Sequence, residues 1–222
     1  MTFESPILVV SPHSDDEVFG CGGFLSRFRP AAHFLLVSAS DIVHRDGSVS
    51  TVKDRESEFA VAASAVGATF SFAGLQDTKL PLMKDRIIMA VEDCIDTLKP
   101  KTLMFPDRSF HQDHVAVYES CFAACRPGRA PSVRSVVTFE VPNYVWFDRV
   151  TFFEPNFYLE LSQSDLDGKL SLVGLYQTQV GREVSPIDKK VVTNHAMYRG
   201  HEAGVPYAEA FRIHRKIARI GE

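Results

Sequence analysis

The chain has 222 residues, 45% of them hydrophobic, and a net charge of −4 spread along its length. That suits a globular domain with a real core. It excludes the basic stripe that nucleic acid or an anionic membrane surface requires. No apolar run reaches the length of a membrane span. The start, Met1-Thr2-Phe3-Glu4, lacks the basic and long apolar segments of a signal peptide. The first element is Pro6 to Val10, short, β-branched and uncharged, which predicts a buried strand. A helix over 18–28 follows, entered through Gly20-Cys21-Gly22-Gly23. Phe34 to Ser38 predicts a second strand, and 39–51 a polar loop with Asp41, His44, Arg45 and Asp46. The helix over 53–66 buries Phe59, Ala62, Ala63 and Val66, with Gly67 as its stop. Strands over 68–72 and 102–105 flank a helix over 82–98, and another helix spans 115–125. The rest reads less regularly: strands over 133–140, 151–153 and 157–161, then helices over 165–179 and 188–198. Strands alternating with helices predict a three-layer α/β/α, Rossmann-like fold with a mostly parallel sheet. No linker or repeat divides the chain, so residues 1–222 are taken as one domain.

Chemistry concentrates at two strand ends. After the first strand comes Ser11-Pro12-His13-Ser14-Asp15-Asp16-Glu17, one imidazole and three carboxylates within five residues. Like charges crowd at a cost, and a divalent cation would offset it. His13 and Asp16 are three apart, so a turn of backbone can aim both at one point; Asp15 between them points elsewhere. The plainer reading is that Asp15 or Asp16 caps the helix. After the strand over 102–105 comes His111-Gln112-Asp113-His114, repeating the three-residue spacing. In a parallel sheet both strand ends lie on the edge where ligands bind, so the two clusters predict a metal site together. The four cysteines, Cys21, Cys94, Cys121 and Cys125, have no disulfide-framework or zinc-knuckle spacing and suggest reduced thiols in a cytoplasmic protein.

These motifs resemble the zinc-dependent N-deacetylases of the LmbE-like, or PIG-L, family. Pro12 to Glu17 looks like its PHPDDE motif and His111 to His114 like its HxDH motif. Arg55, Glu58 and Gly67 fit an R-x-x-E…G helix, Leu75-Gln76-Asp77 an L-P-D turn, and Lys169, Tyr176 and Gln179 a K…Y-x-[ST]-Q segment. Gly204 to Phe211 resembles a G-V-x-Y-A-E-A-F ending. Ser14 departs from the usual proline, Thr78 from a common glycine, and the loop over 41–50 from a T-x-G-E form.

The resemblance implies metal ligands His13, Asp16 and His114, a donor set that leaves a fourth zinc position open to water; Fe²⁺ suits the same donors. It implies Asp15 as general base, His111 as oxyanion stabiliser or acid to the leaving amine, and Asp113 as the carboxylate orienting a histidine. Arg55 and Asp77 would hold substrate. Simpler roles stand beside these: a helix cap for Asp113, a loop histidine for His111, a surface pair with Glu56 or Glu58 for Arg55 and a turn for Asp77. His33, His195, His201 and His214 have no partner spacing. The implied substrate is an N-acetyl amino sugar or its glycoconjugate, and family members commonly assemble as homo-oligomers. Two rivals are a nucleotide-dependent Rossmann oxidoreductase, whose G-x-G-x-x-G is absent, and a non-catalytic sugar-binding protein.

Overall fold

A computed structural model describes residues 3–44, 47–142, 153–180 and 188–218. The run Ile7–Ser11 (β1) lies inside the sheet, every residue of it buried. Helix α1 (Asp16–Phe28) leads to β2 (Ala32–Ser38), and a hairpin of β3 (Ile42–Val43) and β4 (Val49–Ser50) precedes α2 (Val52–Val66). Then come β5 (Thr69–Leu75), a 3₁₀ turn (Leu80–Leu82), α3 (Lys84–Leu98), β6 (Thr102–Pro106), α4 (Gln112–Ala124) and β7 (Ser135–Phe139). The last described elements are β8 (Phe157–Glu160), α5 (Gln163–Val173), α6 (Lys189–Ala203) and β9 (Ala208–Lys216).

Seven strands form one sheet in the order β5-β2-β1-β6-β7-β9-β8. The pairs among β5, β2, β1, β6 and β7 are parallel, and β9 is antiparallel to both its neighbours. Apolar residues of α1, α2, α5 and α6 pack on one face, and those of α3 and α4 on the other. The predicted three-layer fold with a mostly parallel sheet is what forms. From β1 the chain winds outward to β2 and β5, then returns to place β6 on the other side of β1. The order therefore reverses between β1 and β6, the position where such sheets open a crevice at their carboxyl ends.

Local chemistry sets the boundaries. Helix α2 begins on a capping box in which Thr51 and Asp54 bond each other reciprocally, and it ends at Gly67 with φ 78°. Helix α1 lies so close to β7 that a Cβ on Gly20 would fall 1.9 Å from the Phe139 ring, so only glycine fits there.

Several expectations need adjustment. The loop over 39–51 contains the β3–β4 hairpin. The helix expected over 165–179 stops at Val173, and Tyr176 to Val180 form a separate turn closed on the Tyr176 carbonyl. Helix α6 runs on to Ala203, where Gly204 at φ 75° ends it. The motif residues Ala208 to Phe211 open the nine-residue strand β9, which runs on to Lys216. Thr151 and Phe152 of an expected strand, and Arg45 and Asp46 of the polar loop, lie outside the described residues.

Candidate active site

The loop after β1 is pinned from β2: both the backbone N–H and the hydroxyl of Ser38 donate to the Pro12 carbonyl, at 3.1 and 2.9 Å. Asp16 opens α1 and accepts the His13 N–H at 2.9 Å. Asp15 precedes the helix with φ 133° and makes no capping bond, so its carboxylate is not a cap. On the other side of the crevice His111 caps α4, its Nδ1 accepting the Asp113 N–H at 3.2 Å. That leaves Asp113 and His114 in the first turn, aimed across at His13.

The two clusters meet. Asp16 Oδ2 lies 3.5 Å from His13 Nδ1 and 3.4 Å from His114 Nε2. Bonds of about 2.1 Å at tetrahedral angles separate donor atoms by roughly 3.4 Å, which is the spacing of Asp16 from each of the two imidazoles. His111 is in the same cluster: ligand atoms of His13, His111 and His114 all lie within 4.8 Å of one another. The other His13 nitrogen, Nε2, meets Asp113 Oδ2 at 3.1 Å. The same oxygen accepts the Thr78 N–H at 2.6 Å.

The charges also favour a cation. Burial alone would lower the His13 pKa, but Asp113 and Asp16 outweigh it and push it up to about 10. Burial opposes the charge on Asp16 as well, and His114 and His13 outweigh it, holding that carboxyl far below its usual range. Asp15 goes the other way: burial first, then the neighbouring Asp16, raise it well above an ordinary aspartate. His111 is lowered to about 4 by burial and by the other two imidazoles, so it is neutral near pH 7. Because its Nδ1 accepts a backbone N–H, its proton sits on Nε2.

Beside this cluster opens a cavity of about 530 Å³, lined among others by Asp15, Ser40, Arg55, Asp77, Thr78, His111 and Gln179. Arg55 is only 2% exposed. Its guanidinium pairs with Asp77 and donates to the Ser40 carbonyl at 3.2 Å. It is thus not the surface charge paired along its own helix that the spacing allowed. Ile42 and Val43 of the hairpin form an apolar part of the wall, with Val43 74% exposed. Of the other histidines, His44 bonds Ser50 within the hairpin at 2.7 Å. His195 and His214 lie against Glu140 and Thr138 respectively.

Residues given no role from the sequence hold the site from beneath. Glu17 is fully buried; Ser11 donates to it at 3.0 Å and the Tyr176 hydroxyl donates to its other oxygen. Glu209 accepts the N–H groups of Gly23 and Phe24 at 2.7 and 2.8 Å and pairs with buried Lys169 at 2.7 Å. Glu58 accepts the Thr178 N–H and hydroxyl at 2.8 and 2.6 Å. Glu17, Glu58, Lys169, Tyr176, Thr178 and Glu209 lie in family-like motifs, which was the available clue; partners up to 186 residues apart cannot be read from spacing.

Comparison with known proteins gives the family. The model of the PIG-L family, GlcNAc-PI de-N-acetylase, matches residues 8–125, which include both strand-end clusters. The chain belongs to this de-N-acetylase family. An uncharacterized deacetylase of Escherichia coli, YaiS, is 27% identical over 144 residues, 62% of this chain and 74% of the relative. Among solved structures, the N,N′-diacetylchitobiose deacetylase of Pyrococcus horikoshii superposes with a TM-score of 0.75 at 19% identity, covering 94% of this chain and 83% of that one. GalB of Pseudomonas putida, a 4-carboxy-2-hydroxymuconate hydratase, superposes with a TM-score of 0.73 at 22% identity, covering 97% and 98%. The last two share the fold of this de-N-acetylase family member. Since one is a hydratase, the reaction has to be argued from the site itself.

Proposed function

We propose that this protein is a zinc-dependent amide hydrolase that removes the acetyl group from an N-acetyl amino sugar of the GlcNAc type, or from a conjugate carrying one. The observation that carries the reading is the spacing of Asp16 Oδ2 from the two imidazole nitrogens, 3.5 and 3.4 Å. His13, Asp16 and His114 would hold the ion, with Asp113 orienting His13. Fe²⁺ suits the same donors. Bound there, zinc supplies a Lewis acid that polarises an amide carbonyl and acidifies water.

The chain's own groups do the rest. Asp15, buried, non-capping and of raised pKa, takes the proton of the attacking water and gives it to the amine nitrogen as the C–N bond breaks. The His111 Nε2–H donates to the carbonyl oxygen as it gains negative charge. The bond from the Asp113 N–H to His111 Nδ1 favours this donor role over that of acid to the leaving amine. Arg55 and Asp77, paired in the cavity wall, hold sugar hydroxyls. A sugar-binding role without catalysis would leave Asp15 and His111 beside the cation cluster with no task. Bound nucleotide would set a pyrophosphate against Asp15 and Asp16.

The proposal takes residues 1–222 as one deacetylase domain acting in the cytoplasm, where its four free cysteines stay reduced. No described helix is long and apolar enough to cross a membrane. The test is acetate release from a panel of N-acetyl sugars and glycoconjugates by native, chelator-stripped and zinc-restored protein. Stripping should abolish release and zinc should restore it. An undiminished rate in metal-free protein, or no acetate from any substrate, overturns the reading.

A further inference from the structure

The two outer strands of the sheet differ in how they meet solvent. At one end β8 has four residues and lies between exposed Glu154 and Glu160. Short length and flanking charge keep a free edge from pairing with another chain. At the other end β5 has seven residues and, among the described residues, pairs with β2 alone. It carries neither charge nor proline. The charge-free stretch extends beyond the strand, over residues 59–76, from Glu58 to Asp77. Within it Val61 is 50% exposed, Phe70 38% and Phe72 40%. Exposed aromatic rings with no charge among them have the composition of an interface centre.

The edge is also held straight. His33 of β2 bonds the Thr69 and Ser71 hydroxyls, each at 2.8 Å. Phe72 packs on Phe59 and Phe70, with ring centroids 6.2 and 5.6 Å apart. The register with β2 is unbroken from Thr69 to Phe72 and shifts before Leu75, where Gly74 takes φ 65°. The regular edge is thus Thr69–Ala73.

Its composition selects the occupant. A strand that joins its own copy about a two-fold axis runs antiparallel to itself, which brings any charge on it close to the same charge on the copy. This strand has no charge to oppose. A two-fold axis at Ser71 sets Phe70 opposite the partner's Phe72, twice over, and Thr69 opposite the partner's Ala73. The charged β8 edges then lie outermost, so the assembly closes at two.

We propose that the free edge of β5 is a homodimer interface, through which two copies of this chain pair antiparallel over Thr69–Ala73 into one continuous sheet. The proposal is independent of the reaction at the metal cluster. Gln76, Asp77 and Thr78 of the cavity wall follow β5 directly, so the antiparallel fit carries the two cavities to opposite ends of the joint.

The test is sedimentation of the full chain over a dilution series, with hydrogen exchange measured on the same samples. Wild type should sediment as a dimer that dissociates on dilution, and the amides of Thr69–Ala73 should lose protection as it does so. Phe70→Lys and Phe72→Lys should each raise the dimer dissociation constant roughly 5- to 150-fold, the worth of two aromatic pairs, while keeping the wild-type circular dichroism. Met197→Lys, at an apolar residue of α6 that is 49% exposed, should leave the dimer intact. The exchange measurement needs no substitution, so it decides the matter even if a lysine variant fails to fold. A wild type that is monomeric throughout overturns the inference. So does a dimer that survives both lysine variants, or one whose Thr69–Ala73 amides exchange as fast as in the diluted protein.

Discussion

His13 Nε2 and Asp113 Oδ2 lie 3.1 Å apart although a hundred residues separate them in the chain. The contact ties the two strand-end clusters and uses the imidazole nitrogen turned away from Asp16. It fixes the ring orientation that the cation would need. Asp113→Asn should weaken zinc binding about 10- to 100-fold, with much of the rate regained at high zinc. Titration against a competing chelator reads this directly; wild-type zinc affinity in the variant would remove Asp113 from the metal centre.

Asp15 and Asp16 should separate cleanly. Asp15→Asn should keep its zinc and lose on the order of 10²–10⁴ in turnover, whereas Asp16→Asn should lose its zinc on purification. The backbone of Asp15, at φ 133°, adds a second expectation. Such a conformation costs a non-glycine residue of order 1–3 kcal/mol. Asp15→Gly should therefore be inactive yet at least as stable as wild type in urea unfolding. A clear loss of stability would mean that the aspartate supports the fold.

Thr78 is the second strained residue of the site, at φ 65°, and β-branched side chains are rare outliers there. Its N–H nonetheless holds Asp113. Thr78→Gly should raise stability by about 1 kcal/mol and leave zinc affinity unchanged, since the donor is backbone. Paired denaturation and zinc titrations check both halves.

Glu140, paired with His195 and Arg199, provides a pH test. Burial would raise its pKa, but His195, 2.8 Å away, and Arg199, donating at 2.6 Å, outweigh it and hold the carboxyl below its usual 4.5. A depressed folded-state pKa means that the contribution is fully present above the unfolded value. It is lost as pH falls through the folded value. Glu140→Gln should cost about 3–5 kcal/mol near neutral pH, and its stability should converge on that of wild type as pH drops below about 4.5. Parallel curves across that range would show that Glu140 is not the linked group.

Much of this was legible from residue pattern. The apolar runs of β1, β2 and β6, the periodicity of α2 with Gly67 as its stop, and the two clusters at strand ends all carry local information. What was hidden depends on distant partners. Strand β9 reads Ala-Glu-Ala-Phe-Arg-Ile-His-Arg-Lys, and its charged residues mask the alternation. Arg55 could equally have paired along its own helix until Asp77 and Ser40 were seen to enclose it. The departure at Thr78 carried no warning of strain, because φ is invisible in sequence.

The buried carboxylates beneath α1 set a limit on dissection. Residues 8–125 hold all three proposed metal ligands, yet Glu17 finds Tyr176 only beyond that stretch, and Gly23 and Phe24 find Glu209. A fragment cut there would leave a buried acid and two backbone N–H groups short of partners, each at a cost of about 1–3 kcal/mol. The donor set is therefore not portable: grafted without the strands and turns that follow α4, the start of α1 would keep its ties to Ser11 and Ser38 but lose those to Tyr176 and Glu209.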